Sequence, residues 1–494
     1  MSAAFIGIDL GTTYSAISTI DEHGIPKMIN NSEGQNITPS CIWIKDDKQY
    51  FVGEEARKEL GINKNVIARF KRDMGTKEKY TVNGQDFTPT DCSALVLKKL
   101  FQDAQKEVGD IGETVVTIPA NFNNEARAET LKAAKEAGLN VKNIVDEPTA
   151  AALYYAFKGG VELKGHFAVF DLGGGTFDIS LIKVDQQNIN VLASEGVQKL
   201  GGDDFDTILQ KIVRKKFKDE HDEVVDEQDY TKTDAEEDKK SLSKRESLKV
   251  RFNKKRVSIT RAEFEEKISS LVMQTEMVCE SILADQNLTA ADLEAVFMVG
   301  GSTRIPLVQQ AVERVFKQKP TQSVNVDEAV VLGASLYAAF KGDQSKLTKV
   351  QKASVNRIKV TDVCPSYFGT FYLGENNQKY VSIIIEKNTP RPCSVTQSFY
   401  TTHEGQEGID CSITSANTPE TDPGFVRLLS DETLKLPAGR PTNQEIQVTY
   451  SFDENGVMLA SFLDVESGKK TDIKIGEIDA SPAEKNKIDA FTVD

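Results

Sequence analysis

The sequence FIGIDLGTTYSAISTI at residues 5–20 recurs as FAVFDLGGGTFDISLI at residues 167–182. Seven of the sixteen aligned positions are identical, namely Phe, Asp, Leu, Gly, Ile, Ser and Ile. In each copy an apolar stretch reaches Asp-Leu-Gly, passes through small or hydroxyl residues, and continues as a second apolar stretch. The repeat therefore predicts two β-hairpins with permissive turns.

Two such turns, facing each other, would present backbone N–H groups to phosphates from both sides. One aspartate from each hairpin, Asp9 and Asp171, would then hold a hydrated divalent cation. Glycine permits the close approach, because a side chain would collide with phosphate oxygens. The alternative is a pair of ordinary hairpins with polar turns. A single copy would favour that alternative, whereas two copies in register favour a phosphate site.

Other phosphate signatures are missing from the sequence. It contains neither a G-x-x-x-x-G-K-[ST] loop nor a G-x-G-x-x-G motif between a strand and a helix. Further glycine pairs occur at Gly201-Gly202 and Gly300-Gly301. Each pair alone is usually only a turn, but together they indicate a cleft contacted from several parts of the chain.

Composition limits the class of protein. A length of 494 residues predicts two to four folding units. The 39% apolar and 27% charged residues are typical of globular proteins. A formal net charge of −15 argues against a nucleic-acid or anionic-membrane partner. We expect a cytoplasmic location, since no leader or long apolar stretch is evident. Six cysteines without C-x-x-C pairs predict free thiols.

The sequence pattern changes along the chain. Residues 1–342 alternate strand-like and helical patterns, as in 114–118 and 124–137, which indicates α/β layers with parallel strands. Residues 363–480 contain short strand-like runs, such as 380–385, 446–452 and 457–463, which predict an all-β sandwich. Residues 343–362 are predicted to be a linker, and residues 481–494 to form one short helix at most. The acidic stretch 219–238 is interpreted as a solvated helical face or loop.

The sequence resembles the 70-kilodalton heat-shock chaperone family of the DnaK type, within the superfamily of actin, hexokinase and chaperone ATPases. The motifs IGIDLGTTYS, VDEPTAAAL, VFDLGGGTFD, LGGDDFD and MVGGSTRIP occur in the family's order. The resemblance extends from about residue 3 to 478. It implies an actin-like ATPase domain, a duplicated ribonuclease H-like fold with two lobes, at 1–342. A smaller β-sandwich that binds peptide follows it.

The resemblance also implies roles for individual residues. Those around the phosphates and the attacking water are Thr12, Thr13, Tyr14, Lys71, Glu147, Asp171, Gly173, Gly174, Gly175, Thr176 and Asp178. Those around the nucleoside are Gly201, Gly202, Glu236, Lys239, Lys240, Ser243, Gly300, Gly301, Ser302, Arg304 and Asp327. The implied cofactors are ATP or ADP and Mg²⁺, held by Asp9 and Asp171 mainly through water, with K⁺ as a further candidate. Without the resemblance, Lys71 would be interpreted as a surface lysine and Glu147 as the first residue of a helix. Lys239 and Lys240 would be a solvated helix face.

The same resemblance implies a peptide groove in the second domain, and its residues are Thr370, Tyr372, Leu373, Phe399, Thr402, Gln406, Ile409 and Cys411. For any one of them, ordinary sandwich core is the alternative. The groove would bind unfolded or extended polypeptide through backbone hydrogen bonds and one apolar pocket. A J-domain co-chaperone and a nucleotide exchange factor are the further partners implied.

Three departures from the family pattern bear on coupling. Lys359 and Thr361 are polar where the family's linker is apolar, and the sequence ends where a helical lid would begin. Asn143 and Asp146 replace a basic residue and an asparagine, which should weaken attraction for an acidic loop of a J-domain partner. Pro119 and Arg127 match the family's interdomain relay.

These observations favour an ATP-dependent chaperone that hydrolyses ATP and couples hydrolysis to holding and releasing extended polypeptide. A regulatory co-chaperone that binds ATP but rarely hydrolyses it is the alternative, supported by the three departures. A small-molecule kinase on the same nucleotide fold is a third hypothesis, which leaves the β-rich domain unexplained.

Overall fold

The computed structural model describes residues 4–45, 49–159, 164–185, 188–321, 325–355, 359–374, 377–454, 456–475, 488 and 492–493. By its internal contacts the chain divides into a first unit, Met1–Val360 with Ala480–Asp494, and a second unit, Thr361–Asp479. Most of the predicted C-terminal segment 481–494 lies outside the described residues, as does 356–358 in the predicted linker. No helix in the described part of the chain is long and apolar enough to cross a membrane.

The first unit begins with the strands of one hairpin and the small sheets around it. They are β1 (Ala4–Asp9), β2 (Tyr14–Ile20), β3 (Pro26–Ile29), β4 (Ile37–Pro39), β5 (Cys41–Ile44), β6 (Gln49–Val52), β7 (Val66–Ala68), β8 (Tyr80–Val82), β9 (Gln85–Phe87), β10 (Ile111–Ile118) and β11 (Val141–Asp146). Its later strands are β12 (Gly165–Leu172), β13 (Phe177–Asp185), β14 (Asn188–Val197), β15 (Ser247–Phe252), β16 (Lys255–Thr260) and β17 (Leu293–Val299). Strand β18 (Lys359–Thr361) includes the point in the sequence where the first unit ends and the second begins.

Ten α-helices are found among the described residues of the first unit. They are α1 (Glu54–Lys58), α2 (Pro89–Val108), α3 (Asn124–Glu136), α4 (Glu147–Gly159), α5 (Gly202–His221), α6 (Lys232–Lys244), α7 (Arg261–Asp285), α8 (Pro306–Phe316), α9 (Ala329–Lys341) and α10 (Lys349–Val355). Their boundaries follow from capping chemistry. At α2, for example, Thr88 accepts from the Asp91 amide, Asp91 accepts in return, and Pro89 occupies the first turn.

The two predicted hairpins are confirmed. Strand β1 pairs antiparallel with β2, and β12 pairs antiparallel with β13. The first hairpin belongs to a sheet of order β11-β10-β1-β2-β3 with β4 on β2, and the second to a sheet of order β17-β12-β13-β14-β18. In both sheets the first strand of the hairpin also has a parallel neighbour, β10 for β1 and β17 for β12. The predicted parallel strands are therefore present, within mixed sheets.

Each of the two sheets has its own apolar core. Side chains of β1, β5 and β10 and of helix α2 form one buried cluster. Side chains of β12, β13 and helices α5, α7 and α8 form another. Each fully buried Phe, such as Phe170 or Phe205, contributes roughly 1.5–3 kcal/mol by leaving water.

Helices α4 and α9 approach each other closely. A Cβ atom placed on Gly333 of α9 would lie 1.7 Å from the carbonyl oxygen of Ala150 in α4. On the sheet side, a Cβ on Gly7 of β1 would lie 2.2 Å from the amide nitrogen of Ser335 in α9. Glycine at these two positions lets α9 pack closely against α4 and lie directly on β1, the strand that leads into the first turn.

The described residues of the second unit contain eight strands that lie wholly within it. They are β19 (Tyr367–Leu373), β20 (Lys379–Ile385), β21 (Cys393–Tyr400), β22 (Gly408–Ala416), β23 (Arg427–Lys435), β24 (Glu445–Phe452), β25 (Met458–Asp464) and β26 (Lys470–Ile475). They form two antiparallel sheets, of order β20-β19-β22-β23 and β21-β24-β25-β26. Side chains from both sheets share one buried cluster around Phe368, Tyr450 and Phe462.

The segment after the second unit returns to the first. Ile488 is fully buried in the core that contains α2, and Lys98 donates a hydrogen bond to its carbonyl oxygen. Residues Thr492–Val493 form strand β27, which pairs parallel with β6.

Candidate nucleotide site

The turns of the two hairpins contact each other. A Cβ on Gly174 would lie 2.0 Å from the Thr13 Oγ1 atom, and a Cβ on Gly175 would lie 2.5 Å from Thr12 Oγ1. Both distances are far below van der Waals contact, so only glycine fits at 174 without displacing the Thr13 side chain. The turns therefore face each other, as the repeat predicts.

A cavity of about 550 Å³ opens beside these turns. Most residues predicted to contact a nucleotide line it, and these are Asp9, Thr12, Thr13, Tyr14, Lys71, Glu147, Asp171, Gly173, Gly174, Gly175, Thr176, Gly202, Glu236, Lys239, Lys240, Ser243, Gly300, Gly301, Ser302, Arg304 and Asp327. Asp178 and Gly201 are not among the lining residues. Gly201 instead precedes α5, where its amide donates to Asp204 Oδ2 at 2.9 Å.

One end of the cavity concentrates buried carboxylates around a buried lysine. The Lys71 ammonium donates to Glu147 Oε1 at 2.6 Å, and both side chains are almost entirely buried. Asp9, at the end of β1, accepts from Thr117 Oγ1 at 2.9 Å. Asp171 and Asp178 are paired residues of the second hairpin. The Asn121 amide donates to Asp178 Oδ1 at 3.2 Å, which holds this carboxylate beneath the cavity.

Burial and mutual repulsion raise the pKa values of these carboxyl groups. Burial, then Glu147, raise the pKa of Asp9 to about 6, although Lys71 and Thr117 act in the opposite direction. Burial and Glu147 likewise raise the pKa values of Asp171 and Asp178 well above their ordinary range. Lys71 therefore compensates the negative charge of these carboxyl groups only in part, and a divalent cation would supply further positive charge.

The carboxylates fit a cation that keeps most of its water. Among the described residues, no three His, Cys, Asp or Glu side chains lie close enough together to bind one metal ion directly. Asp9 and Asp171 line the cavity from the two facing hairpins. Mg²⁺ commonly keeps several waters and binds through one or two carboxylates and phosphate oxygens. The donor set therefore suits hydrated Mg²⁺ bound together with a phosphate ligand.

Another part of the cavity wall is formed around Tyr14. Its hydroxyl donates to Glu236 Oε1 at 3.2 Å and accepts from Lys240 Nζ at 3.0 Å. The Lys240 ammonium and the Arg57 guanidinium lie 5.1 and 5.4 Å from the ring centroid of Tyr14. Arg57 also pairs with Glu236 at 3.1 Å. These contacts join β2 to α1 and α6 across the mouth of the cavity.

Other predicted residues shape the wall of the cavity through backbone contacts. Lys239 donates to the Gly202 carbonyl at 2.9 Å, and Ser302 donates to the Gly173 carbonyl at 2.8 Å. The Ser243 hydroxyl donates to the Lys239 carbonyl at 3.0 Å within α6. The Arg304 guanidinium is half-exposed and pairs with Asp327 at 2.5 Å.

Two features of the site escaped sequence reasoning. Asp206 lines the cavity and pairs with Lys239 at 2.7 Å. Asp206 lies four residues after Gly202, which begins α5, and this spacing could have indicated that Asp206 lies on the same side of the helix as Gly202. The second feature is a group of charges that we call the clamp, formed by Arg69, Arg72, Asp203, Asp204 and Lys232.

The structure corrects the expectation for Asp146. The sequence suggested that this residue adds negative charge to a partner-binding surface. Its side chain is instead buried and pairs with Arg127 Nη2 at 2.8 Å. Arg127 also donates to the carbonyls of Ala120 and Phe122. The charge of Asp146 is neutralised inside the fold and is not presented to a partner.

The predicted groove residues of the second unit divide into exposed and buried groups. Tyr372 and Leu373, at the end of β19, are 40% and 44% exposed. The rings of Tyr372 and Phe399 lie 6.4 Å apart. Gln406 Oε1 accepts from the Thr402 amide at 2.9 Å and so closes the turn after β21.

The remaining predicted groove residues are less accessible. Ile409 is partly buried against the core of the second unit. Thr370 and Cys411 are buried, and Thr370 donates to the Ser412 carbonyl at 2.8 Å. The side chains of Thr370 and Cys411 therefore contribute to the packing of the second unit and not to its surface.

Comparison with known families agrees with these features. The family model for the Hsp70 protein matches residues 5–83 and 77–494, which is nearly the whole chain. This family has the actin-like ATPase fold, and its members are chaperones that bind ATP or ADP with Mg²⁺. The chain belongs to the Hsp70 family.

Proposed function

We propose that this protein hydrolyses ATP at the cavity of the first unit and couples hydrolysis to binding and release of extended polypeptide by the second unit. The observation that carries the proposal is the meeting of the two hairpin turns beside the buried Lys71–Glu147 pair. Family membership supports chaperone and ATPase activity in general.

The residues of the cavity suggest how it would promote phosphoryl transfer to water. Backbone N–H groups of the facing turns, around Thr12, Thr13, Gly174 and Gly175, would bind the phosphates from two sides. Lys71 would place its positive charge near the transferred phosphoryl group. Glu147, fixed by its hydrogen bond to Lys71, would orient the attacking water. Mg²⁺, when bound near Asp9 and Asp171, would neutralise charge on the phosphate oxygens.

The nucleoside would occupy the end of the cavity near Glu236, Lys240 and Arg304. The Glu236 carboxylate is a hydrogen-bond acceptor suited to ribose hydroxyls. The half-exposed guanidinium plane of Arg304 is suited to covering a purine ring. Asp327 holds this guanidinium through its ion pair.

ATP turnover tests the enzymatic part of the proposal. We expect purified protein with Mg²⁺ to hydrolyse ATP slowly, and Lys71→Ala to reduce single-turnover hydrolysis by about 10²–10³-fold, because a stabilising charge is lost. Lys183→Ala, an exposed lysine of β13, is the matched control and should keep the wild-type rate. Equal rates of hydrolysis for Lys71→Ala and wild type would show that Lys71 does not take part in ATP hydrolysis, and would contradict the proposed role of this site.

Peptide binding tests the second part. An exposed apolar patch around Tyr372 and Leu373 would accept a Leu-like side chain of an extended peptide. We expect Leu373→Asp to weaken binding of a fluorescent Leu-containing peptide at least about tenfold, since a charge would enter the apolar contact. Leu428→Asp, at an exposed leucine of β23, is the control. Unchanged affinity of Leu373→Asp would place the peptide elsewhere.

The regulatory co-chaperone remains the alternative function. The observation that favours this alternative is that Lys359 and Thr361 of β18 are polar at positions where the family's linker is apolar. A coupled chaperone should show faster single-turnover hydrolysis when the Leu-containing peptide is present. A regulatory relative should bind ATP and show the same slow rate with and without peptide.

A further inference from the structure

Two cysteines of the second unit lie side by side. The Sγ atoms of Cys364 and Cys393 are 3.8 Å apart, although 29 positions separate them in sequence. A disulfide needs about 2.05 Å between sulfurs, so small side-chain movements would have to close a gap of roughly 1.8 Å. The phosphate site and the proposed peptide patch make no use of this pair.

Backbone hydrogen bonds hold Cys364 in place. Its amide donates to the Thr389 carbonyl at 2.8 Å, and its carbonyl accepts from the Asn388 amide at 2.9 Å. Next to it, Val363 and Pro390 form an antiparallel bridge. Cys393 is equally fixed, as the first residue of β21 opposite Phe452 of β24. The two sulfurs are therefore neighbours because two ordered backbone segments place them so.

The two thiols differ in access to solvent. Cys364 is fully buried in the core of the second unit, whereas Cys393 is partly exposed. Burial and the adjacent Cys393 raise the pKa of the Cys364 thiol, and Arg391 acts in the opposite direction with less effect. Since the thiolate is the reactive form, a small oxidant in solution would react first with Cys393.

We propose that Cys364 and Cys393 form a reversible redox pair that closes to an intramolecular disulfide when the protein meets hydrogen peroxide. Cys393 sulfur attacks one peroxide oxygen, so that an S–O bond forms, the O–O bond breaks and the first water leaves. Cys364 sulfur then attacks the sulfenic sulfur, so that the S–S bond forms, the S–O bond breaks and the hydroxyl leaves with the thiol proton as the second water. Two thiols lose two electrons and two protons, and one hydrogen peroxide becomes two waters.

The disulfide would fix the first residues of the second unit. Asp362, two residues before Cys364, already pairs with Arg391, two residues before Cys393, at 3.0 Å. The Arg391 amide also donates to the Asp362 carbonyl at 2.7 Å. A covalent bond between the cysteines would lock the same two segments together. We therefore expect slower hydrogen exchange at the Val363 and Cys364 amides after oxidation.

Mild oxidation of the native full-length chain tests the proposal without any substitution. After treatment with hydrogen peroxide and denaturation, the six titratable thiols should fall to four. Peptide mapping should find the disulfide between positions 364 and 393, and dithiothreitol should restore all six thiols. Six remaining thiols, or a disulfide that joins other cysteines, would overturn the proposal.

Three variants test the assigned order of reaction. In Cys364→Ser, peroxide should leave Cys393 as a sulfenic acid that dimedone traps. In Cys393→Ser, no dimedone adduct should form at Cys364, because that thiol is buried. Cys279→Ala removes a buried cysteine of α7 and should still form the disulfide. Trapping at Cys364 in Cys393→Ser would contradict the order in which the thiols react.

Discussion

Gly174 is the residue on which contact between the two hairpin turns depends most directly. A methyl group there would overlap the Thr13 hydroxyl, since the Cβ would lie 2.0 Å from Thr13 Oγ1. The neighbouring atoms belong to the opposite turn, which also lines the cavity. Relief of the overlap therefore requires the Thr13 side chain, or the turn that carries it, to move at the wall of the cavity.

We expect Gly174→Ala to weaken ATP binding by at least about tenfold, which is roughly 1.4 kcal/mol. Isothermal titration calorimetry with ATP and Mg²⁺ measures this change. Gly34→Ala is the control, because a Cβ at Gly34 meets no atom within 4 Å. Gly34 has a positive φ, so Gly34→Ala introduces backbone strain without a steric clash. A loss of ATP affinity in both variants would therefore contradict the steric argument for Gly174.

Individual site residues could be predicted from the sequence where the proposed function requires one residue type at a fixed position in a motif. The Asp-Leu-Gly repeat by itself pointed to Asp9, Asp171 and the glycines of the second turn. It did not point to Asp206. The carboxylate of Asp206 is placed at the site by its ion pair with Lys239, which lies 33 positions later in the sequence. Such pairs depend on how helices pack, which a local pattern does not encode.

Among elements, the clamp connects the turn at residues 70–73 to the starts of α5 and α6. Arg69, Arg72 and Lys232 all pair with Asp203, and Arg72 also reaches Asp204. Burial acts to raise the pKa of Asp203, but Arg69 and Lys232 outweigh it, and the net pKa lies below the ordinary value. The ionised form of Asp203 therefore stabilises the fold.

This balance predicts a pH-dependent effect of Asp203→Asn. Because the pKa of Asp203 is lower in the folded state, its stabilisation is complete above the unfolded pKa of about 3.9 and disappears as pH falls through the folded value. We expect Asp203→Asn to lower the free energy of unfolding by about 2 kcal/mol at pH 7 and by less below about pH 4. Urea unfolding at a series of pH values measures this difference. A difference that stays constant down to pH 3 would show that ionisation of Asp203 does not matter.

The sequence predicted elements better than it predicted their edges and partners. Strands expected at 380–385, 446–452 and 457–463 are confirmed as β20, β24 and β25, with shifts of at most one residue at their ends. Turn residues and alternating apolar positions were sufficient for that result. The clamp was not foreseen, because Arg72 and Asp203 are 131 positions apart in sequence.

At the scale of the whole molecule, each unit has its own apolar core. All lining residues of the cavity belong to the first unit. A ligand of that cavity should therefore stabilise the first unit by mass action, whereas the second unit contributes no lining residue to it. The single tryptophan, Trp43 in β5, reports on the first unit alone.

We expect ATP at about 100 times its dissociation constant to raise the free energy of unfolding of the first unit by about 2.7 kcal/mol. The thermal transition seen by Trp43 fluorescence should move upward, while a second calorimetric transition should stay in place. Gly174→Ala serves as the control and should show a smaller shift at the same ATP concentration. A shift of both transitions by equal amounts would show that the two units unfold together.

Sequence reasoning recognised the family, and the α/β and β-rich halves follow the predicted change of pattern. The assignment of 1–342 and 363–480 as two domains, the two-lobe arrangement and the sandwich stay predictions. Sequence reasoning also had no means of foreseeing the path of the chain after residue 480. A two-residue strand such as β27 carries too little pattern to be predicted, since it is specified by the β6 edge it joins.

That last strand has a mechanical consequence. The second unit lies in sequence between two pieces of the first, and the later piece is attached through Ile488 and the pairing of β27 with β6. A pulling force applied at residue 493 would act first on this two-residue pairing and on the Ile488 anchor. The second unit would carry tension only after that attachment had released, so we expect β27 to shield the β-rich unit from loads smaller than the force that separates β27 from β6.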